Sequence, residues 1–170
     1  MEDKGGVLAK LHEKLCFVKS AEDLCVGDII YVELDPADGI NTKGYPTRLK
    51  YIVVSGAKSD RKQIAAVLIN SDNDFSESKE WQNEQYLLYE KNYRGILEYD
   101  SWLDCFEIKE LKVRKIVARN AQKKGRLNSY DLSVMMRKLK DSDFIEEHIK
   151  KIYGINDFVL PDEDKVEARL

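Results

Sequence analysis

The stretch Gly27-Asp28-Ile29-Ile30-Tyr31-Val32-Glu33-Leu34-Asp35-Pro36-Ala37-Asp38-Gly39 decides the fold. Ile29 to Leu34 is β-branched and aromatic, and turn residues bound it on both sides, so it reads as a strand. Asp35-Pro36-Ala37-Asp38-Gly39 is turn chemistry. Downstream, Leu49 to Ser55 reads as a second strand centred on Tyr51-Ile52-Val53-Val54. Ser55 to Asp60 turns the chain. Lys62 to Ile69 is a third strand, apolar enough to be central. The short polar connection between these two strands predicts an antiparallel hairpin. Residues 70 to 84 are polar and read as a long loop. Gln85 to Tyr89 reads as a fourth strand, Lys91 to Gly95 as a turn, and Tyr99 to Leu111 as one or two more strands. Lys112 to Ala118 fits a short helical turn or an edge strand.

Helices flank this β-rich centre. Val7, Leu8, Leu11, Leu15 and Val18 recur at helical spacing, so residues 7 to 19 read as an amphipathic helix. Ser20 to Leu24 reads as a helical turn capped by Ser20, with Asp23 three residues on. Asn128 caps a helix running to Lys140, with Leu132, Met135, Met136 and Leu139 as its apolar face. Ser142 caps a second helix through Tyr153, with Phe144, Ile145, Ile149 and Ile152 inward, and Gly154 stops it. The acidic tail from Asp157 is expected to be mobile. The expected organisation is a helical extension over 1–25, a β-barrel over 26–127, helices over 128–154 and a tail over 155–170. The fold class is α+β: a small curled antiparallel sheet or barrel with helices at its ends.

Composition narrows the function classes. The chain has 170 residues, 43% hydrophobic and 35% charged, with a formal net charge of −3. A nucleic-acid site must therefore be a local patch. No run approaches the ~18 apolar residues of a membrane span, and the acidic start is unlike a signal peptide. The three cysteines show no CxxC spacing, so a cytoplasmic, reduced protein is expected, without disulfides, metal or cofactor. Two histidines, His12 and His148, lie near opposite ends of the chain, which argues against imidazole-based catalysis. There is no Walker loop and no GxGxxG.

Three constellations carry chemistry. The loop Gly39 to Arg48 presents Lys43, Tyr45, Thr47 and Arg48 beside flexible glycines, directly before a strand. Arginine offers a planar donor fork for phosphate oxygens, and Tyr45 can stack on a base. The plain alternative is a solvated hairpin loop. Asn70-Ser71-Asp72 ends the third strand; it is ordinary turn chemistry unless that strand neighbours Arg48. The run Lys109 to Arg126 holds eight cations against one acid, Glu110. It is either a phosphate footprint or a solvated face that partners acids such as the tail. Glu33 and Asp35 flank a strand end and can point the same way. Cys105 reads as a buried core thiol.

Together these segments resemble the MazF/PemK/Kid toxin family. The opening stretch is similar to that family's first strand, GD(I/V)-x-x-(V/A)-(D/E/N)-(L/F)-x-P-x-x-G. Arg48 to Ser55 is similar to its second strand and Lys62 to Ser71 to its third, which ends in Ser or Thr. Ser101 to Lys115 and the Asn128 helix resemble its later elements. The resemblance spans roughly residues 26 to 140. It implies an SH3-like barrel, a homodimer, a cognate antitoxin, and metal-independent cleavage of single-stranded RNA by the 2′-hydroxyl. Carried over, Arg48 transfers protons and stabilises charge and Ser71 binds the scissile phosphate; Lys43, Tyr45, Thr47 and Asn70, from their own chemistry and position, are expected to contact substrate. The chain departs from the pattern at Leu49, where the family has Pro, and at Ile69, so that Asn70 or Ser71 must supply the polar group. The segment 72–100 is longer, and the N-terminal helix is additional. The rival reading is an inactive barrel that binds RNA or a protein partner.

Overall fold

The computed structural model describes residues 16–73 and 76–159. Seven strands form one curled antiparallel sheet: β1 (Asp28–Leu34), β2 (Arg48–Ala57), β3 (Gln63–Asn70), β4 (Gln85–Leu88), β5 (Ser101–Asp104), β6 (Lys109–Lys112) and β7 (Gln122–Arg126). Their order is β4-β5-β3-β2-β1-β7, and β6 also pairs with β3. The strand β3 therefore meets β6 along residues 63–66 and β5 at residues 69–70. That split edge curls the sheet into a half-barrel. Among the described residues four α-helices accompany it: α1 (Lys79–Asn83), α2 (Val113–Ala118), α3 (Ser129–Asp141) and α4 (Glu147–Ile152).

The unbroken apolar runs of β2 and β3 follow from burial on both faces. Ile52 and Val54 join Ile30, Val32, Leu34, Ile64, Ala66 and Leu68 in the core inside the curl, which α2 helps to close through Val113 and Ile116. Val53, Ala65, Val67 and Ile69 face the other way, onto Met135, Met136 and Leu139 of α3 and onto Tyr153 and Ile155. The C-terminal helices thus share a core with the sheet. Gly56 marks their docking point. It follows a bulge in the β2–β3 pairing, and a Cβ there would lie 2.3 Å from the Tyr153 carbonyl oxygen, which Ala57 N–H reaches at 3.1 Å.

The opening motif holds the fold together. Gly27 has φ +94°, a conformation that favours glycine. Asp28 is fully buried; its carboxylate accepts from Cys25 N at 2.7 Å and lies 3.0 Å from Lys123 Nζ and 3.2 Å from Arg126 Nε. Asp35 and Asp38 cap a short 3-10 turn reciprocally, Asp35 N donating to Asp38 at 2.8 Å and Asp38 N to Asp35 at 3.2 Å.

Several sequence expectations need correction. The helix expected over 7–19 lies outside the described residues as far as Leu15. Its last turn is extended instead: Phe17 bridges Gln122, Val18 N donates to Ala121 O, and Lys123 N donates to Cys16 O. The strand β7 has no apolar residue to announce it; pairing with β1 and with Asp28 forms it. The polar segment 70–84 contains α1. Ser142 does not cap a helix through Tyr153. It follows the C-terminus of α3, and α4 starts only at Glu147, because Lys150 reaches back to the Ser142 and Lys140 carbonyls at 2.7 and 2.9 Å. Phe144 is 47% exposed rather than inward, its ring 4.8 Å from that of Phe106. The tail from residue 160 lies outside the described residues. Among the described residues, no helix is long and apolar enough to cross a membrane.

Candidate functional site

Alternation along a strand builds the site. Side chains two residues apart on a strand share a face. Arg48 and Lys50 therefore continue the inward face of Ile52 and Val54, but at the rim, where Leu34 opposite Arg48 is the last apolar partner. Asn70 likewise continues the face of Ile64, Ala66 and Leu68. Lys50 Nζ donates across the strands to Asn70 Oδ1 at 3.1 Å. The loop before β2 folds over this rim. It is anchored by the buried Ile40 and Thr42, and Lys43 sits at φ +54° with its N–H on Asn41 Oδ1 at 2.8 Å. On the far side stands Trp81 of α1, a helix capped by Ser78 Oγ.

The result is an open depression of about 740 Å³ at the mouth of the curl. Lys43, Arg48, Lys50, Asn70, Ser71 and Trp81 line it together with Asp72, Asn73 and Ser76, so one carboxylate shares the depression with the cations. None of the three cations forms an ion pair with a described carboxylate. Burial, and then repulsion from Arg48 and Lys43, hold the Lys50 ammonium below the usual lysine range; the Asp104 carboxylate opposes this. Asp104 is itself buried, and its carboxyl is raised by that burial against hydrogen bonds from Gln85 Nε2 (2.8 Å) and Phe106 N (3.2 Å). The basic side chains Lys43 and Arg48, with Lys50 between β2 and β3, stand beside an amide, a hydroxyl and an indole, a set that can hold a phosphodiester and stack an adjoining base.

Of the residues singled out from sequence, Lys43, Arg48, Asn70 and Ser71 come together here. Tyr45 is 69% exposed and does not line the depression, nor does the half-buried Thr47. The aromatic surface belongs to Trp81 instead. Lys50 was missed, although its place two residues after Arg48 on a strand was a usable signal. Trp81 gave no signal, because its short helix lies in a stretch that reads as loop.

The basic run from Lys109 to Arg126 behaves differently. Lys115 binds Asp35 and Asp38 at 3.0 and 2.7 Å, and Arg119 binds the same two carboxylates at 2.5 and 2.9 Å. Lys123 and Arg126 grip Asp28, and Lys109 bonds Glu107 and the Gly39 carbonyl. These charges tie the ends of β1 to α2 and β7. Lys124 lies 5.8 Å from the Tyr31 ring centroid. Lys112 and Arg114 line a second hollow, of about 920 Å³, with Lys62, Val113 and Val117. The Glu33–Asp35 pairing also dissolves: Glu33 is exposed, while Asp35 serves the ion network. Cys105 is fully buried and burial pushes its thiol up to about 12, which makes it unreactive. Among the described residues, no group of three or more His, Cys, Asp or Glu side chains is arranged to hold a metal ion.

No family model matches the chain, and no curated protein matches it either.

Proposed function

We propose that the chain is a MazF/PemK/Kid-like endoribonuclease with an SH3-like barrel, cutting single-stranded RNA without a metal ion. The observation that carries this reading is the convergence of Lys43, Arg48, Asn70 and Ser71 on one open depression whose cations lack acidic partners among the described residues. Arg48 and Lys43 neutralise the non-bridging phosphate oxygens. Ser71 Oγ–H and the Asn70 amide donate to the same group. The 2′-oxygen attacks phosphorus, the bond to the 5′-oxygen breaks, and a 2′,3′-cyclic phosphate remains. Charge grows on the phosphate oxygens as this happens, so fixed donors aimed at them accelerate the step. Trp81 offers its face to a neighbouring base. The same resemblance carries a homodimer and a cognate antitoxin as partners.

The test is incubation of the full chain with a long single-stranded RNA in EDTA, reading fragments and their 3′ ends. Discrete cuts ending in cyclic phosphate, lost in Arg48→Ala, support the reading; RNA left intact by the wild-type protein refutes cleavage. The same cations, without an ion-pair partner among the described residues, also suit one second reading, a barrel that binds RNA through them without turnover. It predicts salt-sensitive binding with no fragments.

A further inference from the structure

The ribonuclease reading leaves one step without an agent. The attacking 2′-hydroxyl must lose its proton, and a guanidinium cannot take it, because arginine stays protonated in proteins. Ser71 and Asn70 are neutral donors and acceptors without useful basicity; Asp72 also lines the depression, but it follows the strand end, whereas Lys50 stands on β2 next to Arg48 and is held by its bond to Asn70 of β3. Resting on that reading, we propose that Lys50 is the general base: its neutral amine accepts the 2′-hydroxyl proton while Arg48 holds the phosphate.

Position supports this first. Lys50 is the side chain next to Arg48 on the inward face of β2, and it lines the same depression as Arg48 and Ser71. Its Nζ is fixed by the 3.1 Å bond to Asn70 Oδ1 from the neighbouring strand. That bond takes up one N–H of the group and holds it between β2 and β3, in the lining of the depression that also contains Arg48. The surroundings favour the neutral amine. Lys50 is half-buried, Arg48 and Lys43 repel its positive charge, and the residue opposite it on β1 is the apolar Val32. Asp104 of β5 is the one carboxylate whose charge opposes the shift, and its own burial weakens its charged form. A lysine desolvated beside other cations is a known way to obtain a base near neutral pH.

The step balances. The O2′–H proton moves to Lys50 Nζ, the O2′–P bond forms, and the P–O5′ bond breaks. The leaving 5′-oxygen takes a proton from water, which the open depression admits. Lys50 then returns its proton to solvent.

The test compares single-turnover cleavage by the full chain across pH for wild type, Lys50→Arg and Lys50→Met. The wild-type rate is expected to rise with pH and level off once the amine is neutral. Both variants lose on the order of 10²- to 10⁴-fold, while melting temperature is unchanged and Lys50→Arg keeps its RNA affinity. Lys50→Cys, alkylated to an aminoethyl thioether, restores an amine and recovers cleavage. Titration of Lys50 followed by carbon NMR at Cε gives a readout independent of activity, expected below the ordinary lysine range. Full-speed cleavage by Lys50→Arg, or an ordinary lysine titration, overturns the assignment while leaving the ribonuclease reading intact. RNA uncut by wild type overturns both.

Discussion

Two cationic regions of this molecule look alike in sequence and differ in kind. The run from Lys109 to Arg126 is the denser, yet five of its eight cations meet carboxylates: Lys109, Lys115, Arg119, Lys123 and Arg126. The mouth has only Lys43, Arg48 and Lys50, and none of them pairs with a described carboxylate. Lys109 meets the nearby Glu107, but the acids that neutralise the other four sit far away in sequence, at Asp28, Asp35 and Asp38. A charge is informative about ligands only after its partners are known. Cations with a buried acid opposite them secure the fold. Cations gathered without one are left to an outside anion.

The largest expected effect is at the mouth. Arg48→Ala should lower cleavage by roughly 10²- to 10³-fold, the usual consequence of losing one donor to a developing charge. Its melting temperature should match wild type, because Arg48 pairs with no described acid. A large drop in stability would mean that Arg48 is structural and would erase the contrast.

Next comes Asp28→Ala. It removes a fully buried carboxylate, frees the Cys25 N–H and leaves Lys123 unpartnered. The expected loss is about 3 kcal/mol, on the order of 10 °C in Tm for a chain of this size, measured by thermal or urea unfolding. RNA affinity of the folded fraction should not change.

The two halves of the fold differed in how plainly the sequence announced them. The strands β1, β2 and β3 were legible, because five or six β-branched, aromatic and other apolar residues between turn signals have few alternatives. The helix α3 was equally plain from Asn128 and its apolar spacing. The strand β7 was invisible, since Gln-Lys-Lys-Gly-Arg becomes a strand only through β1 and Asp28. At the site, Arg48 and Ser71 were found because they end strands that pair. Thr47 and Tyr45 were drawn in by proximity along the chain, which the loop's path does not respect. Lys50 was overlooked though strand alternation put it beside Arg48. The pairing of Lys115 and Arg119 with Asp35 and Asp38 joins residues too distant for any local pattern.

A smaller effect concerns acid. The hydrogen bond from Lys115, followed by that from Arg119, holds the Asp35 carboxyl below its ordinary value. A depressed carboxyl contributes stability that is fully present above its unfolded-state pKa, about 4, and is lost as pH falls toward its folded value. The stability of wild type should therefore decline below about pH 4, and Asp35→Asn should flatten that limb. An unchanged acid limb in Asp35→Asn would show that the network does not report through this residue. The smallest effect is expected from Lys124→Ala. Its charge lies over the Tyr31 ring and pairs with no carboxylate among the described residues, so stability should move by no more than about 0.5 kcal/mol.

The most direct measurement is RNA affinity against salt for wild type, for Lys43→Ala with Arg48→Ala, and for Lys123→Ala with Arg126→Ala. Each phosphate contact to a single strand contributes about 0.7 to the slope of log affinity on log salt. The account predicts a wild-type slope near about −1.4, for Lys43 and Arg48 at the mouth, that nearly vanishes in the mouth variant. The Lys123 and Arg126 variant should keep the wild-type slope. A steep slope that survives the mouth substitutions and flattens with loss of Lys123 and Arg126 would contradict it, and would assign RNA to the run.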